Sequence, residues 1–141
     1  MDMTPEFIML AFTLILAIVQ IGWAASARTA ELGLKWNAGA RDGETAPPGR
    51  LAGRLIRAQA NLFETLPIFA AAVIMAHIAG KDGPLTFNGL DIHLTFVGAH
   101  LYFFGRLVYL PLYAFGTPYV RTLAWLVAFA GLVMVIVALF V

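Results

Sequence analysis

Arg57-Ala58-Gln59-Ala60-Asn61-Leu62-Phe63-Glu64-Thr65-Leu66-Pro67-Ile68-Phe69 sets an arginine, an asparagine and a glutamate at i, i+4 and i+7 in an otherwise apolar segment. At 3.6 residues per turn these three side chains share one helix face, and the apolar run that continues to Ile78 suits lipid rather than water. Placing Arg or Glu inside a membrane helix costs about 2.5 to 3.5 kcal/mol each on insertion scales. A polar stripe in such a helix therefore reads as an inward-facing site whose charges need a ligand or a partner helix.

Outside this stretch the chain is equally apolar. Hydrophobic residues make up 61% of it, charged residues 12%, and the mean hydropathy is +0.84. That balance lies outside the range of soluble domains and indicates an integral membrane protein. About 20 apolar residues are needed per spanning helix, and four segments qualify: 7–25, 55–79, 90–113 and 118–141. The expected fold is all-α, a four-helix membrane bundle in one domain over residues 1–141.

The first segment resembles a secretion signal only superficially. Its N-terminal flank carries Asp2 and Glu6 in place of Lys or Arg, and its apolar stretch is too long for a signal core, so it reads as a retained helix. Six of the nine Lys and Arg residues lie between Arg28 and Arg57. The positive-inside rule makes that loop, 28–53, cytoplasmic and puts both termini outside after an even number of spans. Gly33, Gly39, Gly43, Pro47, Pro48, Gly49 and Gly53 mark it as irregular, with Trp36 resting at the headgroup layer. Gly80-Lys81-Asp82-Gly83 reads as an outer turn.

Cysteine is absent, which excludes disulfides, Cys-ligated metals and a protein thiol nucleophile. Any thiol chemistry must use a thiol brought by a substrate. His77, His93 and His100 have no metal-ligand spacing, and no metal is expected. Nothing points to nucleic acid.

Glu64 lies roughly 16 Å along the helix from Gly53 at 1.5 Å per residue, too deep to serve as a topology signal, although a protonated Glu64 bonding a neighbouring helix is an alternative. Pro67 removes a donor and frees the carbonyl of Phe63. The third segment repeats the pattern: Tyr102, Arg106, Tyr109 and Tyr113 fall on one face at i, i+4, i+7 and i+11. An aromatic belt with a snorkelling arginine is the competing reading. Arg106 needs a carboxylate, for which Glu64 is the candidate. In the fourth segment Thr117 is a candidate cap and Pro118 a first-turn residue. Arg121 then projects from a helix start, suited to a thiolate, carboxylate or phosphate, or alternatively serves as a positive-inside anchor.

Arg57-Ala58-Gln59-Ala60-Asn61 with Glu64 and Pro67, Gly105-Arg106 with Tyr109 and Tyr113, and Pro118 through Arg121-Thr122 together resemble the MAPEG family. These are the membrane-associated proteins of eicosanoid and glutathione metabolism, among them microsomal glutathione transferases and the microsomal prostaglandin E synthase type. The likeness covers the second to fourth segments in order, and Gly33-Leu34, Gly39-Ala40-Arg41-Asp42 and Arg54 resemble its short bacterial branch. Thr65 matches the prostaglandin synthase type rather than the tyrosine of leukotriene C synthase. Leu110 and Pro111 differ from both types, and the spacing from Tyr113 to Arg121 is one residue shorter than in the prostaglandin type.

The resemblance implies a homotrimer binding glutathione between subunits near the cytoplasmic face of a bacterial inner membrane. Arg57, Asn61, Glu64, Arg106, Tyr109 and Tyr113 would hold the peptide, and Arg121 would stabilise its thiolate. The implied activity is a glutathione transferase of detoxification type, with peroxidase or isomerase activity as variants, acting on a hydrophobic small molecule from the membrane lipid. Two other readings stand beside it: a non-catalytic lipid-binding scaffold of the same fold, and a small transporter built around Glu64 and Arg106.

Overall fold

The computed structural model describes residues 3–87 and 89–141. Along the chain run α1 (Pro5–Leu32), α2 (Leu34–Ala38), α3 (Arg50–Ile78), β1 (Leu85–Phe87), β2 (Leu90–Ile92), α4 (Leu94–Phe115) and α5 (Pro118–Ala138). The four long helices form one bundle whose ends are fixed by specific contacts. Thr95 Oγ1 donates to Glu6 Oε1 at 2.9 Å, joining the starts of α4 and α1. Phe7 stands edge-on to His77 at 4.8 Å, joining the start of α1 to the end of α3. At the opposite end Arg54 Nη1 donates to the carbonyl of Ala114 at 3.2 Å, so α3 begins where α4 finishes.

α1, α3 and α5 are each long and apolar enough to cross a membrane. α4, at 22 residues, has spanning length and buries Tyr102, Arg106 and Tyr109 within the bundle. Surface and interior are inverted relative to a soluble domain. Ile15, Ile18, Ile68, Ile78 and Leu123 face outward, while Glu6, Thr13, Gln20, Thr65, Thr95 and Arg106 are buried. Such a surface suits lipid, and the protein is an integral membrane protein with an all-α bundle.

Lipid supplies no hydrophobic drive between helices, so close backbone approach must do the packing. The α4–α5 crossing shows this directly. A Cβ on Gly98 would lie 2.6 Å from the carbonyl oxygen of Gly131, and one on Gly131 would lie 2.5 Å from that of Gly98. Further along the same face, Gly105 meets Ala128. Behind this seam Leu62, Phe69, Tyr102, Leu132 and Val135 form the main core, with Phe69 stacked on Tyr102 at 4.0 Å.

Several boundaries differ from the sequence reading. α1 continues past residue 25 to Leu32 and stops where Gly33 takes φ 85°. α3 starts at Arg50, so the irregular region contracts from 28–53 to the stretch around 39–49, with the short α2 inside the region assigned to a loop. Hydropathy reports where lipid ends, whereas helices here run on into polar surroundings. Residues 90–92 are strand, not helix: β1 and β2 pair antiparallel with Leu85 opposite Ile92, and Thr86 Oγ1 donates to Asp91 Oδ1 at 2.7 Å. α5 begins at Pro118 as expected. Thr117 does not cap it; its hydroxyl donates back to the carbonyl of Leu112 at 2.9 Å.

Candidate functional site

The polar stripes of α3 and α4 face one another across the end of the bundle where α4 finishes and α5 starts. Helical spacing puts Arg57, Asn61 and Glu64 along one strip of α3, and Tyr102, Arg106, Tyr109 and Tyr113 along α4. Asn61, Tyr109, Tyr113 and Arg121 line one cavity of about 280 Å³, together with Thr122 and Trp125. Four of the seven expected site residues therefore meet at a single concave surface.

Tyr113 is the hub. Its hydroxyl accepts a hydrogen bond from Arg57 Nε at 3.3 Å, its ring lies 5.3 Å from that of Tyr109, and the guanidinium of Arg121 sits 4.5 Å from the ring centroid. Arg121 stacked on an aromatic face is a cation–π arrangement, which fixes the side chain without consuming its five N–H donors. Those donors, and the first-turn backbone N–H groups of α5 that Thr117 leaves uncapped, favour an anion beside them.

Arg106 is placed differently from the expectation. Among the described residues it forms no ion pair with Glu64. Nη1 donates to Asn61 Oδ1 and Nη2 to Thr65 Oγ1, each at 2.6 Å, while Nε has no partner. Its guanidinium lies between the rings of Tyr102 and Tyr109, 5.6 Å from each centroid. With a relative exposure of 1% it is buried behind the cavity wall. Neutral oxygen acceptors and two π faces take the place of a carboxylate: Glu64 is exposed, and its hydrogen-bond partner among the described residues is Asn61 Nδ2, at 3.5 Å.

Arg57 and Glu64 are exposed on the single chain and are not among the residues that line the cavity. Sequence reasoning gave no role to Thr65, to the cavity wall at Thr122 and Trp125, or to Arg54 as the clamp on the end of α4. Thr65 was legible as the i+4 neighbour of Asn61 on the same stripe. The Arg54 contact spans sixty positions and leaves no local signal. None of the three histidines is among the residues that line the cavity: His77 bonds Asp82 at 2.7 Å, His93 precedes α4, and His100 bonds the carbonyl of Phe96.

A second recess, about 630 Å³, runs between α1 and α4. Phe12, Ile15, Leu16, Val19, Phe103 and Leu107 are among its lining residues, which are all apolar.

Comparison with known proteins gives one result of substance, a match of the MAPEG family model to residues 8–141. Neither the curated proteins nor the solved structures contain a significant match. The model match covers nearly the whole chain, including both polar stripes and the start of α5, and the chain belongs to the MAPEG family.

Proposed function

We propose that this protein is a membrane-embedded glutathione-dependent transferase or peroxidase acting on lipophilic electrophiles. Family membership points to glutathione-related or eicosanoid metabolism, or to a membrane scaffold role. The observation that carries the narrower reading is the convergence of Arg121, Tyr113, Tyr109 and Asn61 on one cavity, with Arg57 hydrogen-bonded to the Tyr113 hydroxyl.

Glutathione suits such a surface chemically. It brings two carboxylates for arginine, an ammonium for Glu64, and the thiol that a chain without cysteine lacks. A thiol with pKa about 8.5 is only a few per cent ionised at pH 7, and lowering that value by about two units makes thiolate the main form. Arg121 supplies the positive charge for this. Arg57 and Glu64 are exposed on the single chain yet bonded to the lining residues Tyr113 and Asn61, and a neighbouring subunit covering them would complete the site, in line with a homotrimer with intersubunit sites. The arginine-rich end of the bundle faces the cytoplasm of a bacterial inner membrane, and both termini lie outside.

The scaffold reading draws on the apolar recess between α1 and α4, a shape that suits an acyl chain. On the enzyme reading the same recess admits the hydrophobic co-substrate from the bilayer. The test is a glutathione titration of the purified, detergent-solubilised protein, following ultraviolet thiolate absorbance at pH 7 for wild type, Arg57→Ala and Arg121→Ala. A saturable signal lost in Arg121→Ala supports the enzyme. No signal in an intact oligomer rejects it and favours the scaffold.

A further inference from the structure

The family resemblance gives Arg106 a direct role in holding a bound peptide, yet its guanidinium is buried and already committed. Guanidinium nitrogens only donate hydrogen bonds, and ionised carboxylate oxygens only accept them. Asn61 lies between one of each: Arg106 Nη1 donates to its Oδ1 at 2.6 Å, and its Nδ2 faces Glu64 Oε2 at 3.5 Å. Of the two amide orientations, only this one satisfies both neighbours.

We infer that Arg106 is a positioning residue that locks the Asn61 amide with its NH2 edge toward Glu64, so that the site selects a ligand carrying an acceptor oxygen beside a group able to donate to Glu64. Asn61 is a lining residue of the cavity, and an amide NH2 has two N–H donors, so one remains for a ligand when the other is turned to Glu64. An amide free to rotate would offer oxygen as readily as nitrogen. The lock restricts the subsite to a carboxylate or peptide carbonyl flanked by an ammonium or amide N–H, the pattern of an amino-acid or peptide backbone.

Arg106 can act as a fixed reference because it is anchored twice. Nη2 donates to Thr65 Oγ1 at 2.6 Å, and the buried hydroxyl of Tyr102 lies 2.8 Å from the same oxygen. The proton count has one complete solution: Tyr102 donates to Thr65, and Thr65 donates to the carbonyl of Leu62 at 3.3 Å. A planar fork held by Asn61 on one nitrogen and Thr65 on the other cannot rotate to follow a ligand.

The inference rests on the proposed glutathione site only for the choice of probe. Asparagine occurs at positions 37, 61 and 88 alone, so selective ¹⁵N-asparagine labelling gives three side-chain NH2 pairs, with Asn61 assigned by its loss in Asn61→Asp. In ligand-free protein, Arg106→Met should displace the Asn61 pair and speed its proton exchange about tenfold, while Arg106→Lys, which retains a cationic N–H donor, should keep the pair close to wild type. With glutathione, Asn61→Asp should weaken binding about tenfold in the wild-type background and less than about twofold in Arg106→Met, since residues acting as one unit are not additive. Should Arg106→Met fail to assemble, Thr65→Val removes the second anchor and should displace the same pair. An Asn61 pair unmoved in these variants overturns the lock, as does strict additivity. Absence of any glutathione-induced shift in wild type overturns the glutathione reading instead, because the ligand-free comparison still judges the lock.

Discussion

Nε of Arg57 on α3 donates to the hydroxyl of Tyr113 on α4 across 3.3 Å, while Arg121 on α5 covers the face of the same ring at 4.5 Å. One tyrosine thereby ties three helices together at the site through two separable features, a hydroxyl and a π face. Tyr113→Phe removes the first and keeps the second. The expected result is glutathione binding weakened by roughly three- to tenfold, with Arg121 still able to stabilise thiolate in whatever complex forms. Tyr113→Leu removes both features and should also lower the thiolate yield at saturation. Calorimetric titration beside thiolate absorbance separates the two, and equal thiolate yields in both variants would dismiss the stacking role.

Arg121→Ala should shift the pH dependence of bound thiolate. A cation beside the sulfur lowers the thiol pKa, so thiolate is present above that lowered value and lost as pH falls through it. Without the cation the midpoint should rise toward the free value of about 8.5, and thiolate at pH 7 should fall to a few per cent. Arg121→Lys keeps the charge but not the planar stacking, and should give an intermediate midpoint. An absorbance-against-pH titration at saturating glutathione reads this directly. Identical midpoints in wild type and Arg121→Ala would assign the thiolate to another group.

Periodicity was enough to place Asn61, Tyr109 and Tyr113 on facing stripes, and Pro118 to start α5, because each signal is local to one helix. The partner of Arg106 was not legible by charge matching. That logic selected Glu64, the only carboxylate on the stripe, whereas the bundle leaves Glu64 exposed and satisfies Arg106 with Asn61, Thr65 and two tyrosine rings. Helix ends were misplaced where polar residues continue a helix beyond lipid, as in residues 26–32 of α1. The β1–β2 hairpin carries a recognised signal, Asn88-Gly89 between two short apolar-polar runs. The apolar stretch that follows hid it, since hydropathy does not distinguish a strand leading into a helix from the helix itself.

Thr65→Val tests the buried network in its structural role. Valine is close to threonine in shape but offers no oxygen, so Arg106 Nη2 and the Tyr102 hydroxyl both lose their partner at a buried position. A buried donor left unsatisfied costs about 1 to 3 kcal/mol, more when it is charged. Thermal unfolding in detergent should show a clearly lowered midpoint. Thr65→Ser, which keeps the oxygen, should retain most of the stability. A Val variant as stable as wild type would mean that water or another group reaches Arg106.

The turn between α4 and α5 offers a test of how the site is anchored. Gly116 closes α4 with φ 78°, and a Cβ there would lie 2.5 Å from the guanidinium of Arg54, which itself clamps the carbonyl of Ala114. Gly116→Ala therefore combines left-handed backbone strain, about 1 to 2 kcal/mol, with displacement of Arg54. Arg54→Met alone removes the hydrogen bond to the end of α4 but relieves the overlap. The two substitutions should be non-additive: adding Gly116→Ala to Arg54→Met should lower the unfolding midpoint less than adding it to wild type, because only the backbone term remains. Since Arg121 starts from this turn on α5, both single variants should also weaken thiolate formation without touching the cavity residues. Additive midpoints, or a destabilised turn with full thiolate yield, would uncouple the clamp from the site.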